Sequence, residues 1–208
     1  MPPTAEWPSP PATASPTGPG GPAATDPPEQ LRAGELLLRR ARTSDAEAVA
    51  AAVRASLDHL RPWLPWATTA AGDYRTQFAR LSEADQMWRA GTDYVYVVLS
   101  PDGTLIGNIG LHRRVGVGGV EIGYWISASQ TRRGYGTAAA GALTEAAAAL
   151  PGVTRTEIHC DETNAASAGI PRKLGYRLDR IDSHTPEAPG ETGRRMVWVW
   201  DAASQQTG

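Results

Sequence analysis

The sequence predicts a mixed α/β fold in a single domain. Three observations carry this. Short runs of β-branched and aromatic residues alternate with longer Ala-rich or amphipathic stretches. Gly- and Pro-containing turns separate the runs. A leader of different texture precedes them: residues 1–30 are dominated by Pro, Ala, Gly, Ser and Thr and lack apolar periodicity. Such a segment cannot offset the entropy of ordering and reads as a disordered tail of polyproline character, with Trp7 its one large apolar residue. The folded domain is expected over residues 31–203, with 204–208 a second tail.

The run Glu35 to Arg40 reads as a first strand. Thr43-Ser44-Asp45 offers N-cap chemistry, with Glu47 placed as a capping-box partner, for a helix reaching His59. Its apolar face is Ala48, Val49, Ala52, Val53 and Leu57. Pro62 and Pro65 forbid regular helix through the Trp63–Trp66 segment. A second helix is expected from Asp73 to Arg89. Tyr94–Leu99 and Leu105–His112 form a hairpin about the turn Pro101-Asp102-Gly103, and Val120–Ile126 is a third strand in that series. An Ala-rich helix from Gly134 stops at Pro151-Gly152. Thr154–Cys160 is a strand, Asn164–Leu174 a short helix ended by Gly175, and Tyr176–Ile181 and Arg195–Trp200 are the last strands. The order is β-α-α-β-β-β-α-β-α-β-β.

Bulk composition narrows the function classes. The net charge of -2 and pI near 6.1 give no basic excess for nucleic acid or an anionic membrane surface. No apolar run approaches the length of about 18 residues that spans a bilayer. The N-terminus has neither the positive n-region nor the apolar h-region of a signal peptide, so the cytoplasm is the expected compartment. The single Cys160 makes no internal disulfide, and zinc-ligand spacing is missing, so no metal is expected.

The chemically informative stretch runs from Glu121 through Ile126 to Thr137. It is a strand, a basic glycine loop and a helix start. Helix starts carry free N–H groups and partial positive charge, so anions settle there. Gly134 and Gly136 would let the backbone approach a phosphate, and Arg132 and Arg133 would add donors. A glycine turn before an Ala-rich helix, with surface arginines, would leave the same residues. A P-loop is missing its Lys, and a dinucleotide fingerprint would need Gly where Ala139 stands.

The element order together with Thr131-Arg132-Arg133-Gly134-Tyr135-Gly136 resembles the GNAT superfamily of acyl-CoA-dependent N-acetyltransferases. That family's pyrophosphate loop has the form Q/R-x-x-G-x-G/A. Thr131 stands where Gln or Arg is usual, and Arg132 or Arg133 would supply the donor. The segment His59 to Trp66, the strand Glu121-Ile122-Gly123-Tyr124-Trp125, and Asn164-Ala165-Ala166-Ser167 with Lys173-Leu174-Gly175-Tyr176 resemble the Rim-type branch, which includes N-terminal acetylases of ribosomal proteins.

The resemblance implies one GNAT-like domain with a central, mostly antiparallel sheet flanked by helices. It implies acetyl-CoA as co-substrate, with no metal, and direct attack by an amine in a ternary complex. A bulged fourth strand, eased by Gly123, would free amides near Tyr124, Trp125 and Ile126 for the pantetheine and the thioester carbonyl. Arg132, Arg133, Gly134, Tyr135, Gly136 and Thr137 would hold the pyrophosphate, and Asn164 would contact the coenzyme or cap its helix. Glu121 is the first choice of base, with Asp161 and Glu162 as alternatives and His59 and His112 behind them. Ser167 is the candidate proton donor to the thiolate. Trp63, Trp66 and Tyr124 would line the acceptor pocket. The acceptor would be a ribosomal-protein N-terminus, a small amine or an antibiotic amine. A homodimer is expected by resemblance alone. A non-catalytic acyl-CoA sensor is the alternative; it would tolerate loss of Glu121. A nucleotide-binding domain of another fold is disfavoured, because no acidic residue stands in a ribose-binding context.

Overall fold

The structure, a computed structural model, describes residues 26–202. The expected leader up to residue 25, Trp7 included, and the tail from 203 onward lie outside the described residues.

Eight strands form one sheet in the order β1-β2-β3-β4-β5-β6-β8-β7. They are β1 (Gln30–Ala33), β2 (Leu36–Arg40), β3 (Asp93–Leu99), β4 (Leu105–His112), β5 (Gly119–Ile126), β6 (Arg155–Asp161), β7 (Arg177–Ser183) and β8 (Arg194–Asp201). Every neighbouring pair is antiparallel except β5 and β6. The helices are α1 (Ala46–Arg54), α2 (Leu57–Leu60), α3 (Tyr74–Ala90), α4 (Tyr135–Ala148) and α5 (Ala165–Lys173).

Strand alternation divides the apolar residues between two cores. Leu36, Leu38, Ile122, Leu143 and Ile158 belong to the one that α4 and α5 cover. Val49, Val53, Leu81, Val97 and Trp125 belong to the other, beneath α1 and α3.

The structure departs from the sequence reading in three places. First, β1 is an additional strand. Gly34, at φ 61°, takes the left-handed opening position of a two-residue turn, so Gln30–Ala33 fold back on β2, and Glu35 is in the turn rather than the strand. Second, residues 26–30, the expected end of the tail, are seated on the sheet. Tyr94 and Tyr96 are fully buried, and their hydroxyls need acceptors. Asp26 Oδ1 and the Pro28 carbonyl provide them, each at 2.8 Å, and Glu29 pairs with Arg40 at 2.6 Å. Third, the helix expected up to His59 breaks between α1 and α2. Ser56 is buried at the break, and its Oγ accepts the Ala128 N–H at 3.1 Å. A mid-helix serine that serves another segment in this way interrupts the helical ladder. The contact ties the first helices to the loop that follows β5. Thr43–Asp45 forms a short 3-10 turn ahead of α1, whose Asp45 carboxylate reaches back to accept the Arg42 N–H at 2.8 Å and the Arg39 guanidinium at 2.7 Å, and Asp45 makes no side-chain cap bond to α1 itself.

Tyr176 joins α4 to β6. Thr144 Oγ1 donates to the Ala140 carbonyl, so the Tyr176 hydroxyl donates to Thr144 at 2.6 Å and accepts from Thr156 at 2.8 Å. Tyr176→Phe strands the buried Thr156 hydroxyl. It is expected to cost about 1–3 kcal/mol in urea unfolding and to leave turnover unchanged, as befits a core residue.

Candidate active site

The site originates where β5 leaves β6. These two strands pair only at Gly119↔Arg155, Val120↔Thr156 and Glu121↔Glu157. Past Glu121, β5 stays on β4 as far as Ile126, and β6 stays on β8 as far as Asp161. The Ser127 N–H donates to the Ile106 carbonyl at 2.7 Å, which sets the alternation along β5. Odd-numbered residues bond to β4. The N–H groups of Ile122, Tyr124 and Ile126 therefore face the widening gap. The expected bulge does not form, since the β4–β5 register runs without a shift from His112↔Glu121 to Gly107↔Ile126. Divergence frees the amides instead, and it frees those of Tyr124 and Ile126 but not that of Trp125, which faces β4.

The far end of the gap meets the start of α4. Gly134 is its N-cap at φ 82°, and a Cβ there would meet open space. The first helical hydrogen bond is Ala138 N–H to the Gly134 carbonyl, so the N–H groups of Tyr135, Gly136 and Thr137 have no partner within the helix. Arg132 has φ 60°, a conformation rare outside glycine, and lines the cleft, whereas exposed Arg133 does not. Gly136 lines the cleft and also meets a packing constraint. A Cβ there would lie 2.9 Å from Ile170 Cδ1, so it serves the close approach of α4 and α5.

Gap and helix start open into one cleft of about 1340 Å³ that passes to the other face of the sheet. There Asn108, Gly110 and His112 of β4 stand beside Trp125, Gly123 and Glu121 of β5. Trp63 and Trp66 form the outer wall. Trp66 packs edge-on to Trp125 at 6.2 Å, with the Arg80 guanidinium 4.5 Å from its ring. The loop before β8 closes over this wall: Gly190 N–H donates to the Pro62 carbonyl at 2.8 Å. Tyr124 points to the opposite face, so it belongs with the gap and not with the tryptophans.

The acetyltransferase (GNAT) domain family matches residues 35–177 of this sequence. The chain belongs to the GNAT acetyltransferase family. Its fold is similar to the ribosomal-protein-S5-alanine acetyltransferase of Vibrio fischeri, at 16% identity and TM-score 0.75 over 83% of this chain and 96% of that one. It is also similar to Mycobacterium smegmatis RimJ in complex with CoA-disulfide, at 22% identity and TM-score 0.77 over 90% and 92%. A third similar structure is the microcin C7 self immunity acetyltransferase MccE in complex with acetyl-CoA and AMP, at 13% identity and TM-score 0.76 over 85% and 98%. No curated protein sequence matches the chain.

In this GNAT chain the groups around the gap differ sharply as proton carriers. The Ser167 Oγ and the Tyr124 hydroxyl are 3.1 Å apart. Burial raises the Tyr124 phenol well above its ordinary value, the Ser167 hydrogen bond offsetting only part of this, so the pair keeps its protons. Asn164 caps α5 through Oδ1, which accepts the Ser167 N–H at 3.1 Å, and it also lines the cleft. Burial pushes the Cys160 thiol up to about 11, which removes it as a nucleophile.

The carboxylates are less available than the sequence suggests. Burial favours the neutral form of Glu121, but Arg114 outweighs it: Nε and Nη2 each reach a Glu121 oxygen at 2.7 Å, and the carboxyl is held below its ordinary range. Asp161 is likewise held at about 2, its burial overcome by hydrogen bonds from Thr163 and Thr192. Glu162 is paired with Arg194 at 2.8 Å. The Tyr124 hydroxyl beside Ser167, Arg114 as the clamp on Glu121, and Asp93 behind His112 were not legible in the sequence, since each contact joins separate elements. Among the described residues no group of three or more His, Cys, Asp or Glu is placed to hold a metal ion, and no helix is long and apolar enough to cross a membrane.

Proposed function

We propose that the protein transfers the acetyl group of acetyl-coenzyme A to the α-amine of a protein N-terminus, by direct attack. The observation that carries this reading is the parting of β5 and β6. It creates one point that two substrates reach from opposite faces. The pyrophosphate rests on the N–H groups at the start of α4, near Arg132. The pantetheine lies along the gap against the Tyr124 and Ile126 amides, and Asn164 borders it. These amides polarise the thioester carbonyl, and a preorganised donor of this kind is worth about 3 kcal/mol in a transition state. The Ser167–Tyr124 pair gives the departing thiolate its proton. The amine arrives through the cleft on the other face, past Trp63 and Trp66.

The acceptor class rests on the RimJ and S5-alanine acetyltransferase neighbours and on a cleft open enough for a chain end. A cytoplasmic location and a homodimer belong to the same reading. The test is calorimetric titration with acetyl-CoA, followed by thiol release with N-terminal peptides, free amino acids, polyamines and aminoglycosides. Thiol release confined to peptides supports the proposal. Release confined to a small amine changes the acceptor, and binding without turnover on any amine makes the protein a sensor.

A further inference from the structure

We infer that His112, oriented by Asp93, is the general base that takes the proton of the attacking amine. The inference rests on the acetyltransferase reading and supplies the group that reading lacks. His112 is the last residue of β4 and Asp93 the first of β3, and the two are direct cross-strand partners. The His112 Nδ1 is hydrogen-bonded to the Asp93 carboxylate. A carboxylate can only accept, so Nδ1 carries the ring proton and Nε2 holds the free lone pair.

The imidazole lies over two glycines, and all three residues line the cleft. A Cβ on Gly110 would come to 3.1 Å from Nε2, and one on Gly123 to 3.2 Å. The two glycines are cross-strand partners, so neither strand puts a side chain there. The residue after Gly123 is Tyr124, whose amide faces the gap. Nε2 therefore stands beside the place where the thioester carbonyl meets the acceptor cleft.

The other candidates are already engaged. His159 uses Nε2 on Glu157 at 2.8 Å, with Nδ1 3.7 Å from Glu121. Both oxygens of Glu121 are held by Arg114, and those of Asp161 by Thr163 and Thr192. His59 is exposed on α2. The charged groups around His112 are Asp93 on β3, Glu121 with Arg114 next to it, and His159 on β6. Across the cleft stand Arg80 on α3, Arg195 on β8, and His184, Glu187 and Glu191 in the loop before β8.

The step balances as follows. The ammonium gives one proton to Nε2, and the freed nitrogen lone pair forms the C–N bond. The C–S bond breaks with its electron pair going to sulfur. The Ser167–Tyr124 pair protonates sulfur, and the second proton leaving nitrogen restores that pair. One hydrogen stays on the amide, and His112 releases its proton to water. Asp93 is a positioning residue: it fixes the tautomer and touches neither substrate.

The test compares His112→Asn, His112→Gln, Asp93→Asn and Glu121→Gln, each measured for acetyl-CoA affinity by calorimetry and for kcat against pH with the best amine. Both His112 variants are expected to bind acetyl-CoA as wild type does, which shows that they fold. Their kcat should fall by about 100-fold or more, the size of a lost general base. The acid limb of the pH profile should flatten, and added imidazole should restore part of the rate. Asp93→Asn should lower kcat and displace the acid limb without removing it, which a purely structural contact would not do. A His112 variant that keeps both the acid limb and near-wild-type kcat overturns the assignment, as does loss of that limb in Glu121→Gln alone. Absence of turnover by acetyl-CoA-bound wild type overturns the transferase reading, and this inference with it.

Discussion

Gly134→Trp is expected to weaken acetyl-CoA binding by at least about 100-fold, a loss near 3 kcal/mol. Two effects combine. Gly134 sits at φ 82°, where a side chain costs about 1–2 kcal/mol of backbone strain. In addition, an indole would project into the open space before the free N–H groups of Tyr135, Gly136 and Thr137, where the proposed function seats the pyrophosphate. The strain alone can be isolated. Gly152, beyond the other end of α4, has φ 74° and also faces open space. Gly152→Trp should lower the melting temperature comparably and leave acetyl-CoA affinity intact, because it stands a full helix length from the cradle. Equal loss of affinity in both variants would mean that α4 is merely destabilised and that its first turn is not the binding element.

The sequence carried the parts of this site that are local in the chain. A glycine loop entering an Ala-rich helix is one contiguous signal, and the helix start at Gly134 was legible from it. Asn164 and Ser167 were legible as a capped helix start for the same reason. The sheet order was less so. Nothing between residues 119 and 161 states that β5 and β6 pair for three residues and then separate, yet that separation selects which amides are free. The alternation that follows turns the Trp125 amide away from the gap and leaves that of Tyr124 facing it.

Non-local chemistry was the least legible. Glu121 looks like an unpaired acid on a strand until Arg114, from the turn between β4 and β5, folds back onto both its oxygens. Asp93 and His112 are 19 residues apart in sequence, and only the β3–β4 register makes them partners. Gly136 carries a packing constraint that its spacing does not show. Its spacing from Gly134 suggests a phosphate contact, while the side chain it avoids is Ile170, from a helix whose approach the local sequence does not announce. Residues 26–30 are ordered for a comparable reason: the buried Tyr94 and Tyr96 hydroxyls need acceptors, and the preceding chain supplies them.

Gly123→Val is expected to lower kcat by about 100-fold or more, the penalty of displacing a reacting group by an ångström or so, while acetyl-CoA affinity changes little. The substitution suits the strand itself, since β-branched residues favour extended backbone and Gly110 opposite has no side chain to clash with. The fold should therefore hold, although the His112 ring must shift by a few tenths of an ångström to admit the side chain. The new side chain would lie on the acceptor face, against the His112 ring, its Cβ 3.2 Å from Nε2 and 3.4 Å from Cδ2. It would not enter the gap, because the amides of Tyr124 and Ile126 face β6 and the Gly134 cradle is farther along the chain. Binding and turnover should thus separate, with calorimetry unchanged and thiol release lost. If instead turnover survives, the amine does not approach across Gly123, and the acceptor must reach the thioester from another side. If acetyl-CoA affinity falls as far as kcat, the acetyl end of the coenzyme itself lies against Gly123, and the two substrates meet nearer the tryptophan wall than the β5–β6 gap.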